Sequence, residues 1–157
     1  MAHFTTTIET RVKPEDAFAY LADFSNTAHW DPTVVRARAL GPGPIGEGSR
    51  FEVVLELASR ELPFEYEITR FEPPRELVLV ATSSHLRSVD TIRIEPTSEG
   101  CRLRYDADLR LTGLFYLFDF LLHLAFQISG ARSSRGLERA LDQRARDRRS
   151  DSAGSRA

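Results

Sequence analysis

The sequence predicts an α+β domain: an antiparallel sheet of about seven strands, two short helices near its start and one long C-terminal helix. Three observations predict it. Apolar and polar residues alternate with period two over much of 50–111, the pattern of a sheet with one wet face and one buried face. A Pro14-Glu15-Asp16 start opens a short helical stretch ahead of that sheet. A proline-free segment, 113–146, is the only one long enough to cover the sheet with a helix. At 157 residues, 41% hydrophobic and 28% charged, the chain has the size and composition of one ordinary globular domain.

The elements follow in order. Residues His3 to Thr10 are rich in threonine and suit an opening strand. Ala17, Phe18 and Leu21 mark the apolar face of the first helix. Asp23 to His29 suggests a second short helix, stopped at Trp30-Asp31-Pro32 because the residue before proline resists helical geometry. A strand from Val34 to Leu40 leads into the loop Gly41-Pro42-Gly43-Pro44-Ile45-Gly46-Glu47-Gly48. Phe51, Val53, Leu55 and Leu57 then share one strand face, and Phe64, Tyr66 and Ile68 share the next. Leu77 to Ala81 is apolar on both faces, so its inward set stays open. Ile92 and Ile94 alternate with Thr91, Arg93 and Glu95. In the last strand Cys101, Leu103, Tyr105, Ala107, Leu109 and Leu111 face in, while Arg102, Arg104, Asp106, Asp108 and Arg110 face out.

The long helix, Gly113 to Arg146, would run roughly 50 Å. On a helical wheel, Tyr116, Asp119, His123, Gln127 and Gly130 form a narrow polar strip in an otherwise apolar first half. Past Gly130, the core-facing positions become Arg132, Arg135 and Arg139, and the apolar residues Leu137, Ala140 and Leu141 fall on another side. One straight helix cannot bury both sets, so a kink or break is expected near Ser129-Gly130. Residues 1–149 read as a single domain and 150–157 as a disordered tail.

Charge and composition exclude several classes. Net charge is −2, which gives no electrostatic reason to seek nucleic acid. It is unevenly placed: Arg132 to Ala157 holds eight arginines against four acids, net +4, leaving −6 on the first 131 residues. That basic stretch reads either as a solvated helix end, whose cations suit the dipole, or as a contact with an anionic membrane surface through Arg132, Arg135 and Arg139. Arginine outnumbers lysine 20 to 1, which reads as compositional bias. The single cysteine, Cys101, can form no internal disulfide and reads as a small buried apolar group. The start of the chain has no basic region before an apolar run, so no secretory signal and a cytoplasmic location are expected. His3, His29, His85 and His123 show no metal-binding spacing, and neither metal nor cofactor is expected. Gly41-x-Gly43-x-x-Gly46 matches a dinucleotide fingerprint only literally. A strand follows it where a helix is needed, and Pro42 and Pro44 remove two N–H donors.

Particular turns and caps carry a family resemblance: Val12-x-Pro14-Glu15-x-Ala17-Phe18-x-x-Leu21-x-Asp23, then Asn26 and Trp30-Asp31-Pro32. Gly46-x-Gly48, Glu72-Pro73-Pro74 and Gly100-Cys101-Arg102-Leu103 extend it. Over roughly residues 3–145 the sequence resembles the START-like, helix-grip superfamily (SRPBCC-type), most closely its polyketide cyclase/dehydrase branch. The resemblance implies a curved antiparallel sheet gripping the long helix, with an elongated apolar cavity between them.

Within that frame the expected ligand-binding residues are Trp30, Phe51, Val53, Leu55, Phe64, Tyr66, Ile68, Leu79, Ile92, Leu103, Tyr105, Leu114, Leu117, Phe118 and Leu121. Core packing is the competing role for each of them. Inward phenols at Tyr66 and Tyr105 need partners. Asp90 shares the parity of Ile92 and Ile94, so it points inward unless a bulge or a late strand start turns it to water. An inward carboxylate must be paired or carry a raised pKa. His85 is either a solvated loop histidine or a contact at the cavity mouth. The expected function is binding or transport of a hydrophobic small molecule such as a lipid, polyketide, isoprenoid or quinone. The alternative is a cyclase or dehydratase using the same cavity, with Asp90, Tyr66, Tyr105 and His85 as its only polar candidates. Surplus apolar surface on the first half of the helix, with Phe120 and Phe126 flanking the polar strip, suggests a homodimer or partner contact through the C-terminal helix.

Overall fold

Period-two alternation produces strands where the sequence puts them. The computed structural model describes residues 2–57, 60–82, 86–111 and 132–147. Its strands are β1 (Ala2–Thr10), β2 (Val34–Leu40), β3 (Arg50–Leu57), β4 (Arg60–Glu72), β5 (Glu76–Thr82), β6 (Leu86–Pro96) and β7 (Cys101–Leu111). They form one seven-stranded sheet in the order β1-β7-β6-β5-β4-β3-β2, antiparallel at every pairing. Register shifts at Val34/Arg36 and Ile68/Arg70 place irregularities of the kind that bend a sheet, and the sheet curls into a half-barrel. The architecture is the helix-grip fold.

Two short helices connect β1 to β2. Helix α1 (Pro14–Ala22) starts on Pro14, carries Glu15 and Asp16 in its first turn, and buries Ala17, Phe18 and Leu21. Where the sequence suggests one helix over Asp23–His29, the chain makes a 3₁₀ turn (Phe24–Asn26) and then α2 (Thr27–Trp30). Side-chain hydrogen bonds explain the split. The Asp23 carboxylate accepts from the Ser25 backbone N–H at 3.2 Å, Asn26 Nδ2 donates to the Tyr20 carbonyl at 2.8 Å, and the Thr27 hydroxyl donates to the Phe24 carbonyl at 2.7 Å. Such local bonds compete with the regular helical ladder. Asp31 then closes the turn after α2, accepting from the Thr33 N–H at 2.8 Å and hydroxyl at 2.6 Å.

The strand between Leu77 and Ala81 resolves its open parity through register. Leu77, Leu79 and Ala81 pair with Ile92, Asp90 and Ser88 of β6 and are buried with them. The outer face is laced by arginine–carboxylate pairs: Arg38–Glu52 at 2.7 Å, Arg70–Glu76 at 2.7 Å, Arg93–Glu76 at 2.8 Å and Arg102–Glu9 at 2.7 Å. Exposed pairs of this kind contribute about 0–1 kcal/mol each, so they decorate the sheet without determining it. Asp106, outward as its parity requires, is nonetheless covered by Arg104, Arg93 and Thr5.

Residues 132–147 form a third helix, α3. Leu137 and Leu141 are buried, while Arg132, Arg135 and Arg139 are exposed. That exposure is common to the solvated-end and membrane-surface readings and does not separate them. The kink expected near Ser129-Gly130, the apolar first half with its dimer surface, and the 150–157 tail lie outside the described residues. No described helix is long and apolar enough to cross a membrane.

Helix α3 is seated by backbone contact. A Cβ added at Gly136 would lie 1.8 Å from the Trp30 carbonyl oxygen, so only glycine lets α3 cross the end of α2. At the far end, the Arg144 guanidinium sits 4.0 Å over the Tyr20 ring. Gly136→Ala is therefore expected to cost about 1–3 kcal/mol, the usual range for overpacking, in urea or thermal denaturation. Gly46→Ala is the matched control, since a Cβ there meets nothing within 4 Å.

Candidate functional site

The inward face divides into a solid end and a hollow end. Around Ile92, Ile94, Leu103 and Cys101 the core is packed against α1 and Leu141. Toward Ser88 and Ala107 it opens into a cavity of about 190 Å³. Of the side chains expected to line it, Trp30, Val53, Leu55, Phe64, Tyr66 and Tyr105 do so. Phe51, Ile68, Leu79, Ile92 and Leu103 are instead fully enclosed core residues absent from its wall. Leu114, Leu117, Phe118, Leu121 and His85 lie outside the described residues.

One wall carries a buried polar cluster. Strand β6 begins at Leu86 and pairs without a register shift on both sides, so Asp90 keeps the parity of Ile92 and points inward, only 5% exposed. Its direct partner on β7 is Ala107, whose small side chain leaves the carboxylate clear. Tyr105, one inward position along β7, reaches across diagonally, and its hydroxyl donates to Asp90 Oδ2 at 2.7 Å. The Ser88 hydroxyl donates to Oδ1 at 3.0 Å. Trp30 packs edge-on to Tyr105 with centroids 6.1 Å apart, and Phe24 packs on Tyr66 at 5.0 Å.

Burial sets the chemistry of this cluster. It pushes the Asp90 carboxyl up; the Tyr105 and Ser88 hydrogen bonds pull it back; the nearby Asp31 and Asp108 carboxylates repel its charge. The balance leaves it at about 6. The Tyr66 and Tyr105 phenols are both held above the usual tyrosine range, first by burial and then by the Asp90 charge. They are therefore neutral hydrogen-bonding groups. Cys101 is fully buried, with its thiol pushed up to about 11 by desolvation and by Glu15, which suits a core residue rather than a nucleophile. Among the described residues, no three His, Cys, Asp or Glu side chains gather where a metal ion could sit.

Several lining residues were not singled out from sequence. Ser88 shares the parity of Asp90, and Phe4 and Thr6 share that of Ile8, so alternation could have found them. Phe24, Thr27 and Asp31 belong to irregular turns that carry no period. A second hollow of about 400 Å³ lies between the β1 end, the 97–99 turn and α3, lined by Glu9, Arg11, Glu99, Asp142 and Arg146 among others. Its wall is ionic in both signs, so its greater volume marks a solvated groove. The glycine loop also proves to be a connection: Gly41, Gly43 and Gly48 take positive φ, and β3 follows directly.

The sequence profile of the family described as polyketide cyclase/dehydrase and lipid transport matches residues 1–142. No curated protein matches the chain. Among solved structures, a START superfamily protein from Mycobacterium smegmatis is 16% identical, with 91% of this chain and 99% of that chain covered and a TM-score of 0.66. A Thermus thermophilus protein is 18% identical, with 89% and 95% covered and a TM-score of 0.69. The di-domain ARO/CYC StfQ of the steffimycin biosynthetic pathway is 16% identical at a TM-score of 0.72; 95% of this chain covers 52% of that one. Identities this low speak for the fold alone, but the profile spans most of the sequence. The chain belongs to the polyketide cyclase/dehydrase and lipid transport family.

Proposed function

We propose that this domain binds a hydrophobic small molecule in the cavity between Trp30, Tyr66 and Ala107. The observation that carries the proposal is the hollow itself, about 190 Å³ with a mainly apolar wall beside an otherwise solid core. That exceeds the roughly 150 Å³ of an apolar cavity able to take a benzene-sized guest. The family description, which joins cyclase/dehydrase with lipid transport, supports the same class of guest.

A cyclase- or dehydratase-type reaction in the same cavity is the second reading, and the Ser88–Asp90–Tyr105 cluster favours it. General acid–base catalysis needs a group whose ionisation lies near the working pH and within reach of the reacting atoms. Asp90 is a cavity-lining carboxyl at about 6. A neutral Tyr105 hydroxyl beside it could donate to a developing oxyanion.

Two measurements follow from these assignments. Native mass spectrometry of freshly purified protein is expected to show a bound hydrophobic compound that leaves on denaturation. Ala107→Phe, which fills the hollow, is expected to abolish that species while leaving a cooperative thermal transition. A wild-type protein that carries no compound and takes up no small aromatic amine, alcohol or carboxylate would overturn the proposal. The Asp90 carboxyl lies above its ordinary 3.8 in the folded state, so folding favours its protonated form. Its stabilising contribution is full below 3.8 and is lost as pH rises through about 6. Asp90→Asn, which never ionises, should therefore gain on the wild type across that range by up to about 3 kcal/mol. Urea denaturation between about pH 4 and 8 measures the difference, and a difference that does not change with pH would contradict the buried ionisation.

A further inference from the structure

Among the described residues, the charged side chains of the cavity wall are all acidic. That wall carries Asp31, Glu56 and Asp90 and, among the described residues, no lysine, arginine or histidine. The segments 58–59, 83–85 and 112–131, which join the described elements, contain no lysine or arginine, and their only basic residues are His85 and His123. Arginine is abundant elsewhere in the chain and answers the carboxylates of the outer face. None of the described arginines lines this cavity.

The two inner acids are satisfied by neutral donors. Asp90 accepts from Tyr105 and Ser88, and Asp31 accepts from the Thr33 N–H and hydroxyl. Those bonds fill lone pairs but cancel no charge. The groups facing Asp90 are Ser88 on its own strand, Leu79 from β5, Tyr105 and Ala107 from β7, Tyr66 from β4, and Asp31 after α2, while Asp108, on the outward face of β7, acts on it through its charge alone. Two of these are carboxylates, and among the described residues only Asp108 has a basic partner, His3 at 2.9 Å. A buried anion among anions asks for a cation. A divalent metal needs several converging ligands, which the described residues do not offer. The remaining wall is mainly apolar and aromatic, with threonines and serines interspersed, and aromatic rings such as those of Trp30, Tyr66 and Tyr105 attract an organic cation as they would not attract a carboxylate.

We infer that the cavity takes a hydrophobic cation, a protonated amine or quaternary ammonium with an apolar body, whose charge is met by Asp90. This rests on the ligand-binding reading of the cavity and narrows it: fatty acids and other anionic amphiphiles are disfavoured guests.

Trp30 is the only tryptophan and lines the cavity, so its fluorescence reports occupancy. Three probes of similar size separate charge from shape: 2-phenylethylamine, 2-phenylethanol and 3-phenylpropanoate. At pH 7.5 the amine is expected to bind at least about tenfold tighter than the alcohol, and the carboxylate weakest of all. Asp90→Asn should abolish the preference for the amine over the alcohol, and a cooperative thermal transition certifies that the variant is folded. In the wild type, benzyltrimethylammonium has no titrating group, yet it should lose affinity as pH falls through about 6, where Asp90 takes up its proton. Equal binding of amine and alcohol would overturn the inference and leave the ligand-binding reading standing. So would tighter binding of the carboxylate, lost again in His85→Gln or His123→Gln, by revealing a cation of the protein's own. If none of the three probes binds and the purified protein carries no compound, both fall together.

Discussion

Seven antiparallel strands share one inward face, and the content of the molecule's interior follows from which side chains have that parity. The constraint is strict because a one-residue slip would turn every inward side chain to water. It is relaxed only at the two shifts, Val34/Arg36 and Ile68/Arg70, neither of which touches β6 or β7. Asp90 is therefore carried inside by Ile92 and Ile94 on the same strand. Those two residues anchor the inward face in packed core, and their burial holds a carboxylate where it would not go alone.

That constraint also explains what was legible from sequence. The strands, the inward face of β7 and the two orientations open to Asp90 all follow from period two, which needs no knowledge of neighbours. The Tyr105–Asp90 hydrogen bond does not. It depends on the β6–β7 register, which pairs Asp90 with Ala107 and leaves Tyr105 diagonal to it. The division of the inward face was equally hidden. Val53 and Ile68 look alike along the chain, yet one borders the hollow and the other lies in solid core. That difference is set by where α1 and α3 cover the sheet. The turn from Asp23 to Thr33 was legible only as a break, because its side-chain-to-backbone bonds obey no period.

The hollow survives because its cover is held at fixed points. Helix α3 cannot slide without moving Gly136 off the Trp30 carbonyl or Arg144 off Tyr20. Leu141 is fully buried in the core and does not border the hollow, while Leu137, one turn earlier, does. The same helix thus closes one half of the core and spaces the other. Trp30 serves both purposes, offering its backbone to α3 and its ring to the cavity wall.

The two uses open to Asp90 are set apart by the charge of the guest. An ammonium group beside the carboxylate favours its ionised form, drawing its titration below 6 and fixing it as a recognition group with no proton to give. A neutral carbonyl guest does the reverse. It displaces residual water, raises the cost of the charge and favours the protonated acid, which can then donate to the guest's oxygen. Tyr105 supports both states, since its hydroxyl donates to the anion and a protonated carboxyl still offers it an acceptor oxygen. The surroundings weigh on this choice. Asp31 and Asp108 lie close enough to repel the Asp90 charge, and no described lysine or arginine borders the cavity. An incoming cation therefore relieves a repulsion already built into the wall, whereas an incoming neutral molecule leaves it in place.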